Sequence, residues 1–281
     1  MNKLLVISLS LLLCVSCTHS KDEKLSAAES AAFVSTPPVE QPVRVDDPTD
    51  FHGVGTVSPI EGVSEQMLVR KSYVVSYNCD TRCPNWVAWH LYGSHTTGPI
   101  PRTNDYREDT DVPMPRACNI DYKKSGYTRG HLCPAGDNKW NYEAMSKTFL
   151  LTNICPQDRS LNTGAWNTIE NSCRKWAEQY GDIYIVTGPM YFKSNTMQFI
   201  GENQVAVPDA FFKVVLCLNG PRAIGFIYRN SSDKDKKELY TYSLSQVERV
   251  TGLHFFPDLD SLTRADVENL TDFDRTEGLK K

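Results

Sequence analysis

Nowhere in this chain of 281 residues is there an apolar run of the roughly 20 residues that a helix needs to cross a bilayer. The longest candidate, Leu4 to Val15 after Lys3, gives way to polar residues at Thr18. No glycine-rich phosphate loop and no strand–helix–strand alternation is present, which excludes P-loop and dinucleotide-binding architectures. There is no internal repeat, so solenoids are excluded as well. Cys79 and Cys83 form a close pair with no second close pair after it, so disulfides or buried thiols are a better reading than a zinc site. A strong basic excess is also missing. Residues 17–69 carry 3 basic and 9 acidic groups, residues 70–180 carry 14 and 11, and residues 181–281 carry 12 and 14. The middle segment is the only basic third, a modest pointer to a polyanion partner.

What is present divides the chain. Residues 1–16 have the form of a signal peptide. Leu13-Cys14-Val15-Ser16-Cys17 is similar to a bacterial lipobox with Cys17 as the lipidated residue, although Cys14 stands where a Leu is usual. The expectation is an exported protein of the bacterial cell envelope, held to a membrane by an N-terminal lipid anchor or else periplasmic or secreted. Residues 17–65, with Pro37, Pro38, Pro42, Pro48 and Pro59 and no apolar period, form an expected tether. Seven cysteines remain beyond Cys17, from Cys79 to Cys217. In an exported chain they predict at least two disulfides, and an odd number leaves one thiol over.

A folded domain is expected over 66–260, followed by a tail at 261–281. Leu68 to Tyr77 and Trp86 to Tyr92 have strand character, and the prolines of 98–120 make that stretch a loop. Tyr142 to Phe149 forms a short helix. Asn162 to Tyr180 forms the clearest one, with Trp166, Ile169, Cys173, Trp176, Ala177 and Tyr180 on one stripe and Gly181 as its stop. Ile183 to Thr187, Phe211 to Leu218 and Ala223 to Tyr228 are buried strands, and Ser245 to Thr251 is a helix. This order predicts an α+β fold with a central, mainly antiparallel sheet flanked by helices.

The chemistry concentrates between Gly126 and Arg174. His131, in Gly126-Tyr127-Thr128-Arg129-Gly130-His131, offers a base titrating near neutrality. Asn162, in Asn162-Thr163-Gly164-Ala165-Trp166, offers a hard amide oxygen suited to Mg²⁺, although Asn before an apolar stripe also makes a helix N-cap. Glu170 and Arg174 lie four apart on one helix face, where a surface ion pair is the plain alternative. Arg129 carries a guanidinium that can grip two phosphate oxygens. Asn153, in Thr152-Asn153-Ile154-Cys155-Pro156-Gln157, has a structural or a substrate-binding reading. Trp86, Trp89 and Trp140 could stack on bases but at strand spacing suit a core. His52, His90, His95 and His254 have no partners at ligand spacing.

In this order and spacing the segment resembles the DNA/RNA non-specific endonuclease family, the ββα-metal or His-Me finger nucleases. The resemblance runs from about Trp86 to Tyr228. It implies a strand–loop–helix finger, a metal ion (Mg²⁺ or Mn²⁺) on Asn162, Glu170 acting through metal-bound water, and His131 as general base. Arg129 and Arg174 would meet phosphate. It also implies in-line hydrolysis of DNA and RNA to 5′-phosphate products. The chain departs from the family where Thr128 replaces the usual Asp, and where Cys133 replaces a small apolar residue. Thr128 favours a second reading, a catalytically weak nucleic-acid-binding surface module; a third is a disulfide-stabilised interaction domain on the same fold.

Overall fold

A computed structural model describes residues 44–45, 56–231, 240–269 and 273. The expected signal peptide and Cys17 lie outside the described residues. In chain order the strands are β1 (Arg44–Val45), β2 (Gln66–Val69), β3 (Val74–Asn78), β4 (Cys83–Tyr92), β5 (Thr128–His131), β6 (Ile154–Gln157), β7 (Asp182–Met190), β8 (Gln198–Ile200), β9 (Val205–Val207), β10 (Ala210–Cys217), β11 (Arg222–Arg229) and β12 (Thr241–Tyr242). The helices are α1 (Tyr142–Lys147), α2 (Arg159–Leu161), α3 (Asn167–Tyr180), α4 (Leu244–Thr251) and α5 (Ser261–Glu268).

Eight strands form one sheet in the order β1-β2-β3-β4-β7-β10-β11-β12. Every pairing in it is antiparallel except β1 with β2. The central strands are buried on both faces, which is why β10 has no polar–apolar alternation. One face of the sheet meets α3 through Trp89, Ile185, Phe211, Val215, Trp166, Ile169 and Trp176. The other meets α4 and α5 through Phe212, Val214, Leu216, Leu244, Val247 and Val267. The expected α+β architecture is the one observed. β5 and β6 stand apart as a separate hairpin, with His131 opposite Ile154 and Thr128 opposite Gln157, and β6 leads directly into α2.

Several expected boundaries differ. The strand expected over Leu68 to Tyr77 is a hairpin. The chain reverses at Arg70, whose amide donates to the Tyr73 carbonyl at 2.8 Å. The Arg70 guanidinium is drawn inward by Asp109 at 2.6 Å and Asp111 at 2.7 Å, and so cannot continue a strand. The tether expected to reach residue 65 joins the fold earlier. Val57 and Val63 are buried, and the Ser58 amide donates to the His254 carbonyl at 2.9 Å. The tail expected from 261 contains α5, capped by Asp260, which accepts from the amides of Leu262 and Thr263. Val267 and Phe273 beyond it are fully buried, and Phe273 lies 4.5 Å from the Trp176 ring.

The expected disulfides are absent. Cys79, Cys83, Cys118, Cys133, Cys155, Cys173 and Cys217 are free thiols among the described residues. Five of them are buried, where a thiol packs as a small apolar group. Cys83 and Cys217 direct their sulfurs to the carbonyls of Ala206 and Asn219.

Candidate active site

The helix that carries the site does not start where its apolar stripe suggests. Asp158 is the N-cap, accepting from the amides of Ser160 at 2.7 Å and Leu161 at 3.2 Å. Asn162 is therefore not the helix N-cap that its sequence position allowed. It has helical dihedrals of φ −57°, ψ −47° and opens a π-helical turn, Asn162–Trp166. Gly164 departs from helical geometry inside this turn at φ −103°, ψ −110°, and α3 follows. With capping left to Asp158, the Asn162 side chain is available to other groups. At the far end Gly181, at φ 97°, ends α3, a conformation that suits glycine.

Thr128 determines which way Asn162 points. Its hydroxyl donates to the Gln157 carbonyl at 2.7 Å. The hydroxyl proton is thereby committed, and only oxygen lone pairs remain for a second partner. That partner is the Asn162 Nδ2, which donates to Thr128 Oγ1 at 2.9 Å. The amide orientation thus follows from the hydrogen-bond logic. Nδ2 faces the hairpin, and Oδ1 faces away from it.

Arg129 and His131 share a face of β5, two residues apart, and both meet the Tyr106 ring. The Arg129 guanidinium stacks on it at 4.0 Å and donates to Asn119 Oδ1 at 2.6 Å. The imidazole of His131 lies 5.3 Å from the Tyr106 ring centre and 4.9 Å from that of Phe149. Its Nδ1 is 3.5 Å from Tyr106 Oη, and its Nε2 has no protein partner. Burial, together with the positive charges of Arg102 and Arg129, pushes the imidazole down from 6.5 to about 3. The near-neutral titration expected of this imidazole is therefore not found; the ring is neutral at physiological pH.

Desolvation pushes Glu170 in the opposite direction, up to about 7, against the pull of Lys213 and Arg174. Arg174 donates to Asp137 Oδ1 at 2.7 Å and to Asn171 Oδ1 at 2.9 Å. It approaches so closely that a β-carbon on Gly136 would lie 2.9 Å from its Nη1. Trp89 Nε1 completes the Asp137 carboxylate at 3.1 Å. Arg174 therefore already has protein partners on both Nη atoms, where a contact with phosphate was expected.

Asn153 requires a correction. It is fully buried, accepts from the Cys133 amide, and donates to the carbonyls of Cys133 and Thr148, all at 2.9 Å. It fastens the loop after His131 and has no surface for substrate. Trp86 and Trp89 are core residues, and Trp140 stacks on His95 at 4.4 Å.

Three residues of the site were missed from the sequence. Arg102 acts electrostatically on both His131 and Glu170 and donates to Tyr106 Oη at 3.3 Å. Tyr106 itself supports Arg129 and His131. Lys213 arrives from β10. Nothing local marks any of them, since they reach the finger from a proline-rich loop and a central strand.

Comparison with known proteins gives consistent relatives. The mitochondrial nuclease EXOG of Xenopus laevis is 36% identical over 231 residues, covering 76% of this chain and 63% of the relative. The chain thus spans less than two thirds of that relative's length. Human mitochondrial endonuclease G is 34% identical over 209 residues, covering 69% of this chain and 70% of the relative. A solved chain from the EndoG/EndoGI complex superposes with a TM-score of 0.66 at 29% identity, covering 70% of this chain and 87% of the other. The mitochondrial relatives overturn the expected location in a bacterial cell envelope. The lipid anchor expected at Cys17 gains no support from them. The model of the DNA/RNA non-specific endonucleases matches residues 54–262, most of the chain. This chain belongs to the DNA/RNA non-specific endonuclease family.

Proposed function

We propose that the chain hydrolyses phosphodiester bonds in DNA and RNA without sequence preference, with a divalent ion, Mg²⁺ or Mn²⁺, held by Asn162. The observation that carries this reading is the Thr128–Asn162 pair, which fixes the Asn162 amide with its neutral oxygen free. That oxygen is a hard ligand of the kind Mg²⁺ takes in small number while keeping most of its waters. Among the described residues no group of three or more His, Cys, Asp or Glu could hold a metal, so the donor set fits an ion coordinated mainly by water and phosphate. When bound, such an ion supplies positive charge at the scissile phosphate and at the departing oxygen.

The chain's own groups do the rest. His131, neutral and buried, takes the proton of the attacking water on an imidazole nitrogen. Arg129 and Arg102 present guanidinium groups beside it, and these stabilise the charge that builds on the phosphoryl oxygens. Glu170 orders water. Arg174 holds Asp137 and so fixes the middle of α3 against the turn Ala135–Asp137. Contacts to phosphate carry no base information, so weak selectivity is expected. Thr128, lacking the family's charge at that position, still orients the amide, which favours an active enzyme over a weak binder.

Supercoiled plasmid and a structured RNA, incubated with the full chain, test the reading. Both should be cut with Mg²⁺ or Mn²⁺ and neither with excess chelator. Intact substrates in every metal condition, with a folded protein, would refute it.

A further inference from the structure

The turn over residues 119–124 stands directly before β5, the strand that carries Arg129 and His131. Its inward side chains fasten it. Asp121 accepts from the Cys118 amide at 2.8 Å and from Asn203 Nδ2 at 3.0 Å. Tyr122 is buried, and its hydroxyl donates to the Ile154 carbonyl at 3.4 Å. The Lys123 amide donates to the Ile120 carbonyl at 3.0 Å, a turn that keeps their α-carbons within about 7 Å. Ser125 Oγ closes the segment on the Tyr122 carbonyl at 2.9 Å. With Asp121 and Tyr122 turned inward, Asn119, Lys123 and Lys124 are left exposed.

Asn119 ties the exposed side of this turn to the site. Its Oδ1 accepts from Arg129 Nη1 at 2.6 Å, and its Nδ2 donates to the Tyr106 carbonyl at 2.6 Å. The ring of the same Tyr106 carries the Arg129 guanidinium on its face and lies beside His131. The outer face of the turn is therefore continuous with the guanidinium assigned above to phosphate. Neither lysine ammonium has a hydrogen-bond or ion-pair partner among the described residues. The backbone at Lys124 adds an independent observation. Its φ is 59°, the left-handed region in which a β-carbon is disfavoured and glycine or asparagine is usual. A long cationic side chain kept at such a position invites a functional explanation.

We propose that residues 119–124 form a phosphate-binding ridge, on which Lys123 and Lys124 neutralise backbone phosphates of a polynucleotide next to the phosphate that Arg129 meets. This rests on the nuclease reading above, and it narrows the preferred substrate to a chain long enough to reach the ridge. The turn is fixed before substrate arrives, so little of it has to be ordered on binding. Its contacts are to phosphate alone. The ridge therefore adds affinity and register without base preference, and it serves DNA and RNA alike.

The test uses the full chain with Lys123→Ala, Lys124→Gly, Lys124→Arg and the double variant Lys123→Ala/Lys124→Gly. Arg249→Gln is the control, an exposed cation on α4, which covers the other face of the sheet. Binding of a labelled short DNA duplex is measured in chelator across a salt titration. Each lysine lost should lower the slope of log Kd against log salt by about 1. Lys124→Arg and Arg249→Gln should keep the wild-type slope. Lys124→Gly should also keep or raise the melting temperature, since glycine relieves the left-handed backbone. With Mg²⁺, the double variant should show a severalfold higher KM for duplex DNA and an unchanged kcat, because neither lysine touches the reacting atoms. An unchanged slope in the folded double variant, an equal fall in Arg249→Gln, or a lowered kcat at unchanged KM would each overturn the inference. So would a wild type that does not bind the duplex. Should the double variant fail to fold, the slope of Lys123→Ala alone decides. A wild type that binds the duplex but cuts nothing with Mg²⁺ would count against the nuclease reading alone, and the slope would still decide the ridge.

Discussion

Replacing Thr128 by Val keeps the branched shape and removes only the hydroxyl. Two hydrogen bonds disappear, the 2.7 Å bond to the Gln157 carbonyl and the 2.9 Å bond from Asn162 Nδ2. A neutral hydrogen bond contributes about 1 kcal/mol net, so stability should fall by about 1–3 kcal/mol. For a chain of this size that lowers the melting temperature by about 2–12 °C. The functional loss has a different origin. The bond that holds Asn162 Oδ1 outward disappears, and a preference of about 1 kcal/mol is a factor of about five in population. The apparent metal affinity falls with the fraction of amides correctly turned, so the Mg²⁺ concentration giving half-maximal cleavage should rise about twofold, and by no more than about fivefold. The rate at saturating Mg²⁺ should change little. Thr128→Ser, which keeps the hydroxyl, should behave as wild type. The assay is single-turnover cleavage across a Mg²⁺ titration, with circular dichroism to confirm folding. A folded Thr128→Val with an unmoved Mg²⁺ midpoint would refute the orienting role.

Asn153→Ala removes three buried hydrogen bonds and leaves main-chain groups of Cys133 and Thr148 unpaired. At about 1 kcal/mol or more for each, denaturant unfolding should show a loss of about 3 kcal/mol or more, whereas KM for DNA measured below the unfolding transition should stay within twofold. The pH dependence of stability in metal-free buffer follows from His131 and Glu170 with opposite signs. His131 is depressed to about 3, so between about 3 and 6.5 the unfolded chain binds the extra proton and stability falls as pH drops. Glu170 is raised to about 7, so between about 4.5 and 7 the folded chain binds the extra proton and stability falls as pH rises. Each window has a slope of up to about 1.4 kcal/mol per pH unit, and the two nearly cancel between about 4.5 and 6.5. Glu170→Gln should therefore convert a flat profile over that range into one that rises with pH. A Glu170→Gln profile parallel to wild type would show that the carboxyl is not perturbed.

The parts of the fold that local pattern controls were legible in the sequence. The stripe from Trp166 to Tyr180 gave α3, and the β-branched runs gave β7, β10 and β11. The family resemblance carried by His131, Asn162, Glu170 and Arg174 implied a strand–loop–helix finger. Where boundaries failed, a side chain had a distant partner. Arg70 turns inward to Asp109 and Asp111, and α5 forms because Val267 finds the second face of the sheet. Asn162 had the appearance of a cap because the true cap, Asp158, lies one turn earlier, behind a π turn that no apolar period encodes. The cysteine count could not indicate pairing, which depends on Cα separations that only the fold sets. Arg102, Tyr106 and Lys213 were illegible because they join the site across the tertiary structure. Thr128, a loss by comparison with the family's Asp, gained a role only when its two hydrogen bonds could be seen together.

The central claim is a division of labour, with His131 as the base and Asn162 as the holder of the ion. Single-turnover cleavage of duplex DNA by folded His131→Ala and Asn162→Ala, each across a Mn²⁺ titration with binding followed in parallel, tests it most directly. The account predicts that His131→Ala binds Mn²⁺ as wild type does yet cuts about 10²–10⁴-fold more slowly at every concentration. Asn162→Ala should bind Mn²⁺ weakly and recover part of its rate as the metal is raised. A His131→Ala variant that cuts as fast as wild type, or an Asn162→Ala variant with unchanged Mn²⁺ affinity, would contradict it.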